Sequence, residues 1–286
     1  MLLCPNCRAT LDPATWECAQ GHAFAEEEGV RRLLSPDMAQ RLAELEPALR
    51  AAGWGAARMD EYAQLPLGPM TAAGPGLRLE WRLRQYDLAV IGILLRGRER
   101  QRVLDVGAWN GWLSHRLAEA GHQVTAVDYF ADADNGLGAR RHYPTRWRAI
   151  QMDLRDLSLL DEQFDVVILN RCLAFFTDPA AYVEAAKARV AAGGMLLATG
   201  LQFFLAPEAK ARQVAEERRR FKARHGLELF LFPTRGYLDG GDEARLRTAG
   251  LRLHPYPRLW AANLKARLLR SRPRHRYGVW ANGGDA

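Results

Sequence analysis

Short apolar runs ending in an acid or an amide alternate with helical stretches through the middle of the chain. Val103-Leu104-Asp105-Val106 enters the turn Gly107-Ala108-Trp109-Asn110-Gly111. A helical stretch, Leu113 to Ala120, leads to a second run, Val124-Thr125-Ala126-Val127-Asp128. A third, Gln151-Met152-Asp153-Leu154, follows about one βα unit later. The fourth, Phe164 through Asn170, is rich in β-branched residues, as a strand buried on both faces requires. Asp178-Pro179 then opens a helix through Arg189, with proline at the favoured first turn. Ala192-Gly193-Gly194 ends that helix, and Met195 to Thr199 supplies a fifth strand. This alternation predicts an α/β, Rossmann-like fold, whose ligands sit at the carboxyl ends of parallel strands.

The flanks carry weaker periodicity. Ser35-Pro36 caps a predicted helix with Met38, Leu42, Leu45 and Leu49 at helical spacing. Gly53 to Gly76 is Gly/Pro-rich and reads as a loop or lid. A helix from about Leu77 to Leu95 leads into the first strand; its Arg84 either reaches a ligand carboxylate or is an ordinary solvated arginine. Helical insertions are expected near 207–226 and 258–272, the second with Trp260, Leu264 and Leu268 on its buried face.

The first turn suits a nucleotide-like cofactor without phosphate. A dinucleotide fingerprint places glycine at its first, third and sixth positions, which here are Gly107, Trp109 and Trp112. Two indoles there obstruct a pyrophosphate. Asp128, seventeen residues past Gly111, is placed to accept both hydroxyls of a ribose.

The pattern from Asp105 to Gly111 resembles motif I of the class I S-adenosylmethionine-dependent methyltransferases, with Trp109 where the family has its middle glycine. From about Trp81 to Trp280 the chain resembles bacterial class I methyltransferases of the type 11-like group, whose substrates are unassigned. The matching residues are Gly107-Ala108, Asn110 through Ser114, Asp134 through Gly138, and His142-Tyr143. The resemblance implies that Asp105, Gly107, Ala108, Trp109, Gly111, Asp128 and Tyr129 hold S-adenosylmethionine, with Asp153 and Leu154 at adenine. Asn170 and Arg171, at the ligand edge of the fourth strand, and Arg84 complete the candidate set. Two departures fall on what the family pattern implies is the acceptor side. Asn170-Arg171-Cys172-Leu173-Ala174-Phe175 stands for Asn-Ala-Ser-Leu-His-Tyr, and Thr199-Gly200-Leu201 for Asp-Ser-Pro.

The N-terminus carries a second constellation. Cys4 and Cys7 form a two-residue knuckle, and Cys18 and His22 follow after ten intervening residues. Three thiols and an imidazole are a ligand set for structural Zn2+, and so short a segment cannot bury enough apolar surface to fold alone. A metal-free loop or a disulfide framework are the alternatives. The segment through Leu34 resembles the zinc ribbon of bacterial large-subunit rRNA guanine methyltransferases, and also small zinc-ribbon proteins that partner or fuse to methyltransferases. The expected organisation is a zinc ribbon at 1–35, a helical linker and lid at 36–97, and a methyltransferase domain at 98–286.

Charge changes the picture only locally. The formal net charge is +7, and seven Arg/Lys with no acid lie between Arg258 and Arg276, so the rest of the chain is neutral. Such a patch suits phosphates, an anionic membrane surface or an acidic substrate. The ribbon itself sets Arg8, Arg31 and Arg32 against Asp12, Glu17 and Glu26 to Glu28, which does not favour nucleic acid as a partner. No apolar run approaches the ~18 residues of a membrane span. With no signal peptide and with ribbon thiols read as metal ligands, the expected location is cytoplasmic. The pattern specifies no oligomeric state.

The expected function is methyl transfer from S-adenosylmethionine to a small molecule or metabolic intermediate, with His142 and Tyr143 as weak candidates for a base. Two alternatives stay open: an rRNA or tRNA base methyltransferase using the C-terminal basic patch, and a non-catalytic binding module in which Trp109 has altered the cofactor site.

Overall fold

The computed structural model describes residues 1–53, 59–68 and 75–283. In the N-terminal third, β1 (Glu26–Glu27) and β2 (Val30–Leu33) form a hairpin, followed by α1 (Pro36–Ala51) and α2 (Pro75–Leu94). The central third runs β3 (Arg102–Val106), α3 (Trp112–Glu119), β4 (Gln123–Asp128), β5 (Arg148–Met152), β6 (Phe164–Asn170), α4 (Pro179–Lys187) and β7 (Val190–Phe204). The remainder comprises α5 (Glu208–His225), β8 (Leu238–Asp239), α6 (Gly240–Thr248), β9 (Arg252–Pro255), α7 (Trp260–Leu268) and β10 (Pro273–Ala281).

One sheet collects these strands in the order β1-β2-β5-β4-β3-β6-β7-β10-β9, with β8 on β7. From β2 to β7 every neighbouring pair is parallel, and β10 is antiparallel to both β7 and β9. The chain leaves β3 outward through β4 and β5, then returns to β6 on the other side of β3. This reversal opens a crevice beyond the carboxyl ends of β3 and β6, where open α/β sheets bind ligands. β3, β4 and β6 are buried almost throughout, so their near-continuous apolar sequences follow from helices covering both faces.

The helix starts follow local chemistry. Ser35 accepts the Met38 N–H at the start of α1, and Asp178 accepts the Ala180 and Ala181 N–H groups at the start of α4. Met38, Leu42, Leu45 and Leu49 are all buried, as the spacing predicts.

Three expectations need correcting or restricting. The triplet Ala192-Gly193-Gly194 does not end a helix. It lies inside the fifteen-residue β7, held by the reciprocal backbone bonds Gly193 N–H to Asn282 O (2.8 Å) and Asn282 N–H to Gly194 O (2.9 Å). In α7, Trp260, Leu264 and Leu268 are exposed, and the buried positions are Asn263 and Ala266. The cause is the Asn263 side chain, which accepts the His275 N–H (2.7 Å) and donates to the His275 carbonyl (3.3 Å), clamping that face to β10. Of the expected loop between Gly53 and Gly76, residues 54–58 and 69–74 lie outside the described residues, while Met59–Gln64 is a 3-10 helix.

The ribbon is continuous with the sheet. β2 pairs in parallel with β5, Leu2 bridges Leu160, and Arg8 pairs with Asp156 at 2.6 Å. Leu2, Leu11 and Phe24 share a core with Leu159 and Leu160. Among the described residues, no helix is long and apolar enough to cross a membrane.

Candidate active site

The loop after β3 departs from ordinary backbone geometry in order to shape the crevice. Gly107 has φ of 69°, and a Cβ there would approach Cys172 Cβ to 2.7 Å. Gly111 closes the loop behind the crevice, against the Trp147 ring rather than facing the cavity. Between them Trp109 holds φ at 51°, in the left-handed region. For a residue with a Cβ this costs about 1–2 kcal/mol, which a glycine would largely avoid. Contacts offset the cost: the indole stacks on Trp81 (5.9 Å between centroids, 27° between planes), and the Arg84 guanidinium lies 5.4 Å from its centroid.

A cavity of about 700 Å³ opens beside this loop. Asp105, Gly107, Ala108 and Trp109 line it from β3 and its loop, and Asp128 and Tyr129 from the end of β4. Leu154 follows β5, Asn170 and Arg171 close β6, and Arg84 reaches in from α2. These ten sequence-predicted positions therefore meet around one space.

Burial dominates the electrostatics. It pushes the Asp105 carboxyl up to about 7, against a hydrogen bond from Ser114 Oγ (2.7 Å). Asp105 Oδ1 is buried with no hydrogen-bond partner. Burial likewise lifts Asp128 to about 6, while the N–H groups of Phe130 (2.9 Å) and Trp109 (2.7 Å) favour its ionised form. Burial lowers Arg84 to about 10, helped by the neighbouring Arg171 cation. Burial works the same way on Arg171, but Asp87 and Glu80 outweigh it and its pKa is raised.

The two departures from the family pattern touch each other. Arg171 has φ of 58°, and a Cβ on Gly200 would lie 2.2 Å from Arg171 Cγ. Arg171 N–H donates to the Thr199 carbonyl (2.9 Å), and Asn170 Nδ2 donates to Thr199 Oγ1 (2.8 Å). The Arg171 guanidinium then spans Asp87 (3.1 Å) and Glu80 (3.0 Å), both on α2. Tyr256 completes the group, donating to Asp87 and accepting the Gly200 N–H at 2.7 Å. The larger residue after β6 and the glycine within β7 are one packing solution.

Other predicted residues lie outside the cavity. The Asp153 carboxylate is taken up by Arg155 (2.6 Å) and by the Tyr129 hydroxyl (3.1 Å), leaving its neighbour Leu154 at the wall. Tyr143 is buried against His115, with ring centroids 4.9 Å apart, and His142 Nε2 faces Asp134 at 3.4 Å. Neither lines the cavity, because the segment after β4 folds back onto α3. His115, on α3, is itself buried there.

Sequence reasoning missed the far wall, formed by Phe175, Phe176, Phe230 and Phe232 with Leu229 and Leu231. The signal was the apolar run Leu229 to Phe232, which has strand-like composition but pairs with no strand among the described residues. Glu46, from α1, also reaches the cavity and accepts the Ala131 N–H at 2.7 Å.

At the other end of the sheet, the donor atoms of Cys4, Cys7, Cys18 and His22 all lie within 4.8 Å of one another. Cys7 and Cys18 sulfurs are 3.6 Å apart, and His22 Nδ1 lies 3.6 Å from Cys4 Sγ and 3.3 Å from Cys18 Sγ.

Comparison with known proteins agrees with this geometry. Residues 104–198 match a family described as a methyltransferase domain. A ubiquinone biosynthesis O-methyltransferase of Xanthomonas euvesicatoria is 33% identical over 196 residues, covering 66% of this chain and 73% of the relative. One from Bordetella avium is 35% identical over 135 residues, covering 44% of this chain, so that the chain spans about half (49%) of that relative's length. The fold is shared with magnesium protoporphyrin IX methyltransferase from Synechocystis PCC 6803, solved with bound S-adenosylhomocysteine (TM-score 0.51, 16% identity, covering 86% of this chain and 100% of that one). With the sheet order, the loop and the crevice in place, the chain belongs to the class I S-adenosylmethionine-dependent methyltransferases.

Proposed function

We propose that the enzyme methylates a hydroxyl of a small, largely apolar acceptor seated against the phenylalanine wall, with the cofactor held along the β3–β4 edge. The observation that carries this reading is a single cavity joining Asp105 and Asp128 on one side to Phe175, Phe176, Phe230 and Phe232 on the other. Its volume of about 700 Å³ lies in the upper half of the range of ~300–1,000 Å³ for ligand sites. The relatives are O-methyltransferases of ubiquinone biosynthesis by name, which supports an oxygen nucleophile and a small-molecule acceptor.

The residues present fit the cofactor. Asp105 Oδ1 is a buried acceptor without a partner, suited to an ammonium, and the Gly107 position has no space for a side chain. Asp128 keeps acceptor capacity for ribose hydroxyls, and Leu154 offers an apolar flank to adenine. Arg84, whose guanidinium lies 5.0 Å from the Trp81 ring and 5.4 Å from the Trp109 ring, is assigned to the methionine carboxylate. When bound, S-adenosylmethionine supplies an electrophilic methyl on its sulfonium. The protein contributes proximity and orientation, with the phenylalanine wall positioning the acceptor and excluding water. Calorimetry with S-adenosylhomocysteine tests the assignment: one saturable site is expected, and Asp128→Ala should weaken it about a hundredfold or more. Unchanged affinity in that variant overturns the assignment.

Zn2+ is proposed for the Cys4, Cys7, Cys18 and His22 set. Three of the six donor separations, at 3.3–3.6 Å, suit the edges of a tetrahedron with Zn–S near 2.3 Å and Zn–N near 2.0 Å. All four positions are filled by protein ligands, so its role is structural, and thiolate ligands favour a reducing, cytoplasmic setting.

A further inference from the structure

We propose that α7 docks this enzyme onto an anionic lipid bilayer. Trp260, Leu264 and Leu268, spaced four residues apart, form a ridge along the helix, and Leu269 extends it. Their relative exposures are 69%, 50%, 80% and 54%, so each has most or half of its surface in water. A ridge of this size on one short helix, with the opposite face pinned by Asn263 and Ala266, is an unpartnered apolar surface.

Charge identifies what covers it. At 100° per residue, Lys265 and Arg267 lie on either side of the ridge, and Arg270 and Arg272 follow directly after it. All four are exposed, and none makes an ion pair among the described residues. The contrast with α5 is informative: Arg219 and Arg220 there pair with Glu216, and Lys222 with Glu228. Ion pairs thus offset part of the basic stretch of α5, whereas the four cations on and after α7 have none among the described residues.

An apolar ridge flanked by cations is how a helix lies in a membrane interface, with its ridge in the acyl boundary and its cations at the phosphates. A second copy of this chain is disfavoured, because a two-fold contact would bring two uncompensated cationic faces together. Nucleic acid would satisfy the cations and leave Trp260, Leu264 and Leu268 in water.

The test is co-sedimentation of the full-length, zinc-replete protein with phosphatidylcholine vesicles, with and without phosphatidylglycerol. Binding is expected only when phosphatidylglycerol is present, and it should decline with salt. W260S/L264S/L268S should weaken it about tenfold or more. Replacing Lys265, Arg267, Arg270 and Arg272 by Gln should abolish the preference for phosphatidylglycerol. Both variants must retain wild-type affinity for S-adenosylhomocysteine, which reports an intact fold. Failure to bind phosphatidylglycerol vesicles at low salt overturns the proposal. So does undiminished binding by the triple serine variant, which would reveal attraction by charge alone. A wild-type dimer that the triple variant converts to monomer, without vesicle binding, would assign the ridge to a second copy instead.

Discussion

Gly200 leaves the space that Arg171 occupies: a Cβ at position 200 would come within 2.2 Å of Arg171 Cγ. Arg171 follows β6 and Gly200 lies within the neighbouring parallel strand β7, and each holds a left-handed backbone, with φ of 58° and 69°. Arg171 thereby reaches Asp87 and Glu80 and ties both strands to α2.

Gly200→Ala should therefore destabilise the protein by about 1–3 kcal/mol, from backbone strain and from the collision with Arg171. Adding Arg171→Ala should remove the collision and leave the strain, while Asp87 loses its buried partner. A double-mutant cycle by thermal denaturation checks this. Additive effects would show that the two positions do not interact.

Trp109→Gly relieves the strain of a left-handed tryptophan but removes the ring on which Arg84 rests. The opposing terms are each of order 1 kcal/mol, so stability should change by less than about 1 kcal/mol. Cofactor affinity should fall about tenfold as Arg84 loses its support. Tighter binding in the glycine variant would mean that the indole obstructs the site.

Asp105 makes stability depend on pH. Its folded pKa, about 7, lies above its ordinary 3.8, so in the free enzyme the folded state holds the proton more strongly than the unfolded chain. This group therefore makes stability fall as pH rises from about 4 to about 7, with the full loss present above 7. A ligand ammonium reverses the preference, because it favours the carboxylate. Affinity for S-adenosylhomocysteine should rise as pH increases through the window of about 6 to 7 set by Asp128 and Asp105. Asp105→Asn should bind more weakly and lose the part of that rise near pH 7. Calorimetry across the window decides it; an identical pH profile in the variant excludes the role.

Loss of the zinc proposed for Cys4, Cys7, Cys18 and His22 should be felt at the catalytic sheet. β2 pairs with β5, and Leu154, two residues beyond β5, lines the cavity. The protein as isolated should hold one zinc per chain. Cys18→Ser or chelation should lower stability by more than about 2 kcal/mol and weaken cofactor binding as well. Metal analysis, melting curves and calorimetry on the same samples test the coupling. A chelated protein with unchanged cofactor affinity would show that the ribbon is independent of the site.

Placements that depend on local backbone geometry were legible in the chain. The acid and the glycines of the loop from Asp105 to Gly111, the acid ending the second run at Asp128, and the paired spacing of Cys4, Cys7, Cys18 and His22 are constrained by neighbours within a few residues. The alternation of apolar runs and helical stretches likewise determined the α/β class, because a strand buried on both faces admits few polar side chains.

What remained depends on contacts between segments distant in sequence. Trp109 reads as a lost glycine until Trp81 and Arg84 are seen against its ring. His142 and Tyr143 read as a polar pair near the site until the segment after β4 turns them toward Tyr62 and His115. The buried face of α7 could not be chosen from hydrophobicity, because the Asn263 clamp to His275 outweighs the pull of Trp260, Leu264 and Leu268 toward the core. By itself the sequence determined the central alternation of strands and helices and the short motifs it carries. Which faces those elements bury, and which distant side chains share the cavity, was decided by tertiary packing, whose energy comes from pairs of surfaces that no single segment contains.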